Sequence, residues 1–167
     1  AAAELNAEIA KISGVVPQIA VVTGVCAGTA ALAAANADVC IMAEDAELFF
    51  TAPFTSAAEG DKLEGAGTAA AAAKAGVAAI TAKTAEEAAE LAAQIVGLLP
   101  ANNLTGPAVF EFEAPVTAFA AGQEPAAAAA AVIDNGSALE LYAGFGKKVY
   151  TAFATVNGNA VGVVATG

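Results

Sequence analysis

The first residues of the chain carry an amphipathic pattern that predicts a helix over Ala1–Ile12. Leu5 and Ile9 lie at helical spacing, and charged residues occupy the opposite side of the helix. Gly14 ends this segment. The following run, Val15–Val22, is apolar and rich in β-branched residues, which predicts a strand buried on both faces.

Short apolar strands then alternate with alanine-rich helices. The glycine-bearing turn Thr23–Gly28 leads into a predicted helix over Thr29–Ala37. Strands are predicted over Asp38–Ala43 and Leu48–Thr51, and Pro53 stops the second of them. Strands separated by helices in this way are typical of an α/β protein.

The middle of the chain continues this alternation after a polar interruption. Thr55–Thr68 is polar and contains glycine, which predicts a loop or a flexible lid. A helix over Ala69–Lys74 then stops at Gly76, and a strand follows over Val77–Ala82.

A capping box marks the start of the longest predicted helix, Ala85–Leu99. Thr84 occupies the cap position, and Glu87 follows it at the spacing that a capping box requires. The next stretch, Ala101–Pro125, has no regular period and is interpreted as a linker.

A second pattern begins after the linker. It predicts a helix over Ala126–Val132, a strand over Leu139–Tyr142, and two strands, Val149–Val156 and Ala160–Ala165, joined by the hairpin signal Asn157–Asn159. A sheet that begins this late has little room to be completed. We therefore expect residues 1–100 to be the C-terminal part of a first lobe, 101–125 a linker, and 126–167 the start of a truncated second lobe.

Composition excludes several functional classes. The chain is 58% hydrophobic, but Gly, Pro, Asn and Asp interrupt every apolar stretch before the roughly 20 residues that a membrane span needs. Its net charge is −11, with 6 basic residues and no histidine, so a nucleic-acid partner is not expected. The acidic amino terminus lacks the basic region of a secretory signal, and we expect a soluble cytoplasmic protein.

The two cysteines are not expected to perform chemistry. Cys26 and Cys40 lie in apolar segments, and without histidine they cannot complete a standard zinc site. The absence of histidine also leaves Cys26 without the usual base that would activate it as a nucleophile. Both thiols are predicted to be buried and reduced, and no metal is expected.

The turn before the second predicted helix has the composition of an anion site. Gly24 and Gly28 flank small residues at a helix start, where unpaired backbone N–H groups and the helix dipole attract negative charge. A tight strand-to-helix turn of any α/β protein would have the same spacing. The turn alone therefore leaves both interpretations open.

Longer strings resemble the carboxyltransferase subunit of biotin-dependent acyl-CoA carboxylases and decarboxylases, within the crotonase-like superfamily. Gly24–Ala30, with the strands that follow it, resembles the glycine-rich oxyanion loop of that superfamily. Ser13–Ile19, with the sequence S-G-V-V-P-Q-I, is similar to a more specific segment of the carboxyltransferases. The motifs keep the family's order and extend to the final residues, where the matching segments are Val132–Leu141, Thr151–Gly158 and Val161–Ala165.

The resemblance implies a fold and an activity. The fold is a crotonase/ClpP-like spiral of short β-sheets flanked by helices, present in part and followed by the start of a similar lobe. The activity is transfer of a carboxyl group between biotin and the α-carbon of an acyl-CoA, or the reverse decarboxylation. Biotin is then expected on a partner, the biotin carboxyl carrier protein, and acyl-CoA is expected as the substrate.

The resemblance also implies site residues. The backbone N–H groups of Gly28 and Thr29 are expected to form an oxyanion hole for an enolate. Thr29 replaces a second glycine of the family pattern, so its side chain narrows the approach. Leu32 stands where hydratase relatives have a catalytic glutamate, which disfavours water addition. Substrate contacts are expected from Gly24, Cys26, Ala27 and Pro53.

The family's other oxyanion loop and most of its second lobe are not in this chain. The resemblance implies that the active site forms between lobes of different subunits, so we expect the remaining lobes or subunits as partners and a homo-oligomer. The isolated fragment is expected to be inactive.

Two alternatives from other classes remain at this point. The first is a non-catalytic assembly or binding protein that retains the crotonase-like scaffold. The second is an NAD(P)-dependent short-chain dehydrogenase, because Thr23–Ala30 mimics that family's glycine loop and Glu44 lies near the distance of its acidic residue. Tyr142 and Lys147 do not have the four-residue spacing of that family's catalytic pair.

Overall fold

A computed structural model of the chain describes residues 2–58 and 64–167. Within these residues the helices are Ala2–Ile12 (α1), Thr29–Ala35 (α2), Pro53–Ala58 (α3), Ala69–Lys74 (α4), Ala85–Leu98 (α5) and Pro125–Ala130 (α6). The strands are Ile19–Val22 (β1), Val25–Ala27 (β2), Val39–Ala43 (β3), Glu47–Phe49 (β4), Ile80–Ala82 (β5), Leu139–Leu141 (β6), Val149–Val156 (β7) and Asn159–Thr166 (β8).

The strands form small sheets rather than one large sheet. Strands β1, β3 and β5 make a parallel sheet with β3 in the centre, and β2 pairs with β4 in parallel. Strands β6, β7 and β8 make an antiparallel sheet. This arrangement is the α/β fold of short sheets and helices that the sequence predicted. It differs from the single doubly wound sheet that a dinucleotide-binding dehydrogenase requires.

The core is centred on β3, whose five residues are all buried. Apolar side chains at every position are expected for a strand with neighbours on both edges and layers on both faces. Helix α5 covers one face of this sheet, where Ile95 packs in the same buried cluster as Ile41 and Val39. Leu141 of β6 belongs to that cluster, so residues 1–100 and 126–167 share core contacts. Their division into two lobes stays a prediction.

Two predictions for the segment Val15–Val22, its length and its burial on both faces, are wrong. The predicted strand Val15–Val22 is shorter, because the N–H groups of Val15 and Val16 both donate to Ile12 and continue the end of α1 as a turn. Strand β1 lies at a sheet edge, so Val21 is 38% exposed rather than buried on both faces.

The predicted loop over Thr55–Thr68 is also partly wrong. Helix α3 begins at Pro53, which is well suited to the first position of a helix because that position needs no N–H group. Residues 59–63 of the predicted loop lie outside the described residues. Residues 64–67 form a turn that leads to α4.

The predicted helix caps are confirmed. Thr84 accepts a hydrogen bond of 3.2 Å from the N–H of Glu87, whose carboxylate accepts one of 2.7 Å from the N–H of Lys83. In a capping box the side chain of Glu87 would accept the N–H of Thr84 itself; here it accepts the N–H of Lys83, the residue before the cap. Gly76, with φ +74°, follows α4, and the N–H groups of Gly76 and Val77 return to the carbonyls of Ala73 and Ala72 in a Schellman motif.

The predicted hairpin of β7 and β8 is confirmed. Asn157 and Gly158 have φ values of +48° and +76°, as a two-residue type I′ turn requires. The predicted linker lies against this turn, since the Phe110 N–H donates to the Gly158 carbonyl over 2.7 Å. A Cβ atom at Gly158 would collide with the Phe110 carbonyl oxygen. The last predicted linker residue, Pro125, already belongs to α6.

In the part of the chain that the structure describes, we find no helix with the length and apolar character that crossing a membrane requires.

Candidate active site

The segment with the predicted chemistry runs from the end of β1 to the first turn of α2. Between them lies β2, which the sequence analysis interpreted as part of a turn. Strand β2 pairs with β4, so that Ala27 lies beside Phe49. The Gly24 carbonyl accepts a hydrogen bond of 3.1 Å from the Glu47 N–H, which fixes the start of this pairing.

The Gly28 N–H group, predicted as one of the oxyanion donors, is paired with the backbone in this structure. This N–H donates a hydrogen bond of 3.0 Å to the Phe49 carbonyl, as the last bond between the two strands. It is therefore engaged in sheet pairing and does not point at a ligand in this structure. Gly28 instead starts the helix, because its carbonyl accepts the Leu32 N–H over 3.2 Å.

Gly28 still needs to be glycine. Its φ of +61° and ψ of −131° lie in a region that residues with a side chain rarely adopt. This conformation turns the chain from β2 into α2 within one residue. The helix therefore begins directly beside the end of β4.

The exposed donors that remain at this turn are the N–H groups of Thr29 and Ala30, since Ala31, whose N–H also lacks an acceptor among the described residues, is buried. Neither has a backbone or side-chain acceptor among the described residues, and both residues are exposed. They lie in the first turn of α2, where N–H groups have no acceptor within the helix and the helix dipole is positive. The side-chain amide of Asn6 donates to the Thr29 carbonyl over 3.4 Å, which connects α1 to this turn.

The predicted substrate-contact residues separate into two places. Gly24 and Cys26 line a concave surface of about 680 Å³ between α1, β1 and α2. Ala27, Thr29 and Pro53 do not line it. Pro53 packs near Gly67 instead, where an added Cβ would be 3.6 Å from the proline ring.

Three large apolar side chains of β2, α3 and the segment after β4 are exposed. Val25 is 71% exposed, Phe50 67% and Phe54 79%. These side chains were not predicted as functional, although the two phenylalanines on either side of Pro53, Phe50 and Phe54, would have been a usable signal in the sequence. Exposed aromatic side chains near a site indicate a surface that another molecule or segment covers.

The predicted burial is confirmed for Cys40, whereas it is wrong for Cys26, which is only partly buried. Burial raises the pKa of the Cys26 thiol. Burial, with a smaller contribution from the nearby Cys26, raises the pKa of the Cys40 thiol to about 11. Both thiols are therefore protonated and poor nucleophiles near neutral pH. Within the described ranges, no group of three or more His, Cys, Asp or Glu residues has the arrangement of a metal site.

Comparison with known proteins identifies the family of this chain. Residues 2–167 match the family model of the carboxyl transferase domain. The methylmalonyl-CoA carboxyltransferase 12S subunit of Propionibacterium freudenreichii subsp. shermanii is 34% identical over 171 residues, which cover 93% of this chain and 32% of the relative. The chain thus spans about a third of the length of that relative.

Solved structures give the same result. A transcarboxylase 12S structure with methylmalonyl-coenzyme A and methylmalonic acid bound superimposes with a TM-score of 0.87 at 29% identity, covering 99% of this chain and 35% of that one. A second 12S structure, with hydrolyzed methylmalonyl-coenzyme A bound, also has a TM-score of 0.87, at 30% identity, over 99% of this chain and 36% of that one.

A more distant structure has the same fold. It is a single-chain, multi-domain long-chain acyl-CoA carboxylase, with a TM-score of 0.77 at 26% identity over 95% of this chain and 17% of that one. The family model matches residues 2–167, which contain both the small parallel sheets and the loop at Gly28. The chain has the crotonase-like fold and belongs to the carboxyl transferase domain family.

Proposed function

We propose that this chain contributes an acyl-CoA site to a biotin-dependent carboxyltransferase or decarboxylase. The reaction moves a carboxyl group between biotin and the α-carbon of the acyl-CoA. The observation that carries this proposal is the pair of unpaired N–H groups at Thr29 and Ala30, in a chain that belongs to the carboxyl transferase family.

The chemistry suits backbone donors. Adding or removing CO₂ beside a thioester passes through an enolate, whose negative charge develops on the thioester oxygen. Preorganised N–H groups stabilise such an oxygen, and removal of one donor costs about 10²–10³-fold in rate in other enzymes. We assign these donors to Thr29 and Ala30, one residue later than the sequence predicted.

The surroundings fit the uncharged end of the substrate. The concave surface that contains Gly24 and Cys26 has no charged residue in its lining. The exposed Val25, Phe50 and Phe54 offer apolar contacts to an acyl or pantetheine chain. Phosphate groups would need cations from elsewhere, because the chain has a net charge of −11.

Biotin would come from a partner, the biotin carboxyl carrier protein. When bound, it supplies the activated carboxyl group. We identify no biotin site among the described residues and assign no step to it. The exposed apolar side chains of Val25, Phe50 and Phe54 support a second proposal, that other lobes or subunits, including further copies of the same chain, complete the site. The 12S relative is described as a hexamer.

A proline substitution tests the donor assignment. Thr29→Pro removes the threonine side chain and the N–H group at the first helical position, where proline is tolerated, whereas Thr29→Ala removes the side chain and keeps that N–H group. We expect Thr29→Pro to weaken binding of a nitronate-bearing CoA thioether, an enolate mimic, by about 10–100-fold, as loss of a hydrogen bond to a charged group predicts. Coenzyme A itself should bind both variants equally.

Calorimetry of the isolated chain separates the alternatives. An enzyme fragment should bind propionyl-CoA without catalysing carboxyl transfer. An assembly protein on the same scaffold should bind neither the thioester nor the nitronate. Equal nitronate affinity for Thr29→Pro and Thr29→Ala would contradict the assignment of the Thr29 N–H.

A further inference from the structure

The chain contains two asparagine–glycine sequences, Asn135-Gly136 and Asn157-Gly158, and both lie in turns. At such a sequence asparagine can lose its amide group, because the backbone nitrogen of the glycine attacks the side-chain Cγ atom. Glycine has no side chain to obstruct the attack or to restrict rotation of the backbone. The nitrogen must first give up its proton, so the hydrogen bond of each glycine N–H determines which of the two sites can react.

The N–H group of Gly158 is protected. It donates a hydrogen bond of 2.8 Å to the carboxylate of Asp134, and both residues are buried. This bond to a charged group must break before the nitrogen can lose its proton. The carboxylate also opposes that loss, because the anion formed on the nitrogen would lie beside a second negative charge. Asn157 should therefore keep its amide in the folded protein.

The N–H group of Gly136 has no such protection. It has no acceptor among the residues that the structure describes, and Gly136 is exposed, with nothing within 4 Å of an added Cβ. The ends of this turn are held instead. The Ser137 N–H donates to the Asp134 carbonyl over 3.2 Å, and the Ser137 hydroxyl accepts the Thr155 N–H over 3.1 Å. The two central residues, Asn135 and Gly136, can therefore rearrange while the turn stays attached to β7.

Asn135 also attaches the predicted linker, residues 101–125, to the turn before β6. Its backbone N–H donates to the Glu113 carbonyl over 2.8 Å, and its side-chain amide donates to the Glu113 carboxylate over 3.2 Å. Both residues are exposed, so water competes for the side-chain bond, which restrains the amide only weakly. A chemical change at Asn135 would thus act directly on this attachment.

We propose that Asn135 is a deamidation site and that its conversion loosens the linker at Glu113. The Gly136 nitrogen bonds to Cγ of Asn135, the Cγ–Nδ2 bond breaks, and Nδ2 leaves as ammonia with the proton of the Gly136 N–H. Water then opens the resulting succinimide ring to aspartate or isoaspartate, and no oxidant or reductant is needed. Either product lacks the amide donor and adds a negative charge close to the Glu113 carboxylate, so attraction becomes repulsion.

Peptide mapping by mass spectrometry tests the choice of site. The protein is incubated at mildly alkaline pH, folded and in urea, and the rate at each asparagine in the folded protein is compared with its own rate in urea. We expect Asn135 to react within a few-fold of its rate in urea. Asn157 should be slowed about 10–100-fold, as a hydrogen bond to a charged group predicts. Equal protection of the two sites in the folded protein, or stronger protection of Asn135, overturns the proposal.

Hydrogen exchange of the Phe110 N–H, which bonds to the Gly158 carbonyl, tests the effect on the linker. Asn135→Asp mimics one product and should speed this exchange by about two- to fivefold, the size expected for an exposed pair of charges. Adding Glu113→Gln restores a donor opposite the new carboxylate and should return the exchange to the parent rate. Asn103→Asp is the control, since that exposed side chain has no partner among the described residues. Unchanged exchange in Asn135→Asp, an equal effect of Asn103→Asp, or no rescue by Glu113→Gln overturns the proposed release.

Discussion

The carboxylate of Asp134 accepts a hydrogen bond of 2.6 Å from the hydroxyl of Thr155. The same carboxylate accepts the backbone N–H groups of Asn157 and Gly158, over 2.9 and 2.8 Å, at the turn between β7 and β8. Asp134 is only 2% exposed. Its carboxylate thus holds the hairpin to the segment that precedes β6.

Because of these hydrogen bonds, the free energy of unfolding should decrease as the pH becomes acidic. Burial by itself raises the pKa of the Asp134 carboxyl, but the bonds from Thr155, Gly158 and Asn157 outweigh it and hold the pKa below its ordinary value of 3.8. A depressed pKa means that Asp134 stabilises the fold above that ordinary value. The contribution is lost as the pH falls through the lower, folded-state pKa.

We therefore expect Asp134→Asn to lower the urea midpoint at pH 7, because an amide cannot accept all three bonds. We also expect the variant to lose less stability than the parent between pH 6 and pH 3. Asp45→Asn, in the exposed turn after β3, is the control and should follow the parent curve. Parallel pH curves for Asp134→Asn and the parent would show that the carboxylate does not have this role.

The buried cluster between β3 and α5 should dominate the free energy of unfolding. Ile95 is fully buried in that cluster beside Leu141, so it joins the first sheet to β6. Ile95→Ala should cost about 2–5 kcal/mol, a large part of the stability of a small domain. Val96→Ala, at a site that is 63% exposed, should change it by about 0.5 kcal/mol or less. Urea denaturation measures both, and similar losses would contradict the assigned core.

Much of the fold could be predicted because its signals are local. The continuous apolar run at Val39–Ala43 indicates a strand with neighbours on both edges, and it is the central strand. The cap bond between Thr84 and Glu87 specifies the start of α5. The positive φ values of Asn157 and Gly158 specify the hairpin turn. Each signal lies within a few residues of the chain.

The pairing of β2 with β4, which determines whether the Gly28 N–H is free, could not be predicted in the same way. Strand β2 has three residues, too few to show a period, and its partner β4 lies about twenty residues later. Whether the Gly28 N–H is free or paired depends on that partner's register. The family resemblance indicates the loop, whereas the pairing of the Gly28 N–H with Phe49 is visible only in the structure.

Two glycine-to-alanine substitutions should have opposite effects on stability. An added Cβ at Gly28 meets nothing within 4 Å, so its cost is backbone strain at φ +61°, about 1–3 kcal/mol. Gly97 lies near the end of α5, also with nothing within 4 Å of an added Cβ. Gly97→Ala should stabilise the fold by up to about 1 kcal/mol, because alanine is the better helix former.

Urea denaturation of the two variants provides the comparison, and each serves as the other's control for the added methyl group. A neutral Gly28→Ala would mean that the turn into α2 adopts another conformation in solution. In that case the Gly28 N–H would also have to be reconsidered, because its bond to the Phe49 carbonyl depends on the same conformation.

The two thiols should differ in reactivity. Cys40 is 2% exposed and its pKa is raised to about 11, whereas Cys26 is only partly buried. At pH 8 a disulfide reagent such as Ellman's should therefore modify Cys26 in the folded protein and Cys40 only after unfolding in urea, since the thiolate is the reactive form. Cys26→Ser should abolish the first reaction, and Cys40→Ser should leave it unchanged. Equal rates for both thiols in the native protein would mean that β3 is not the buried centre of its sheet.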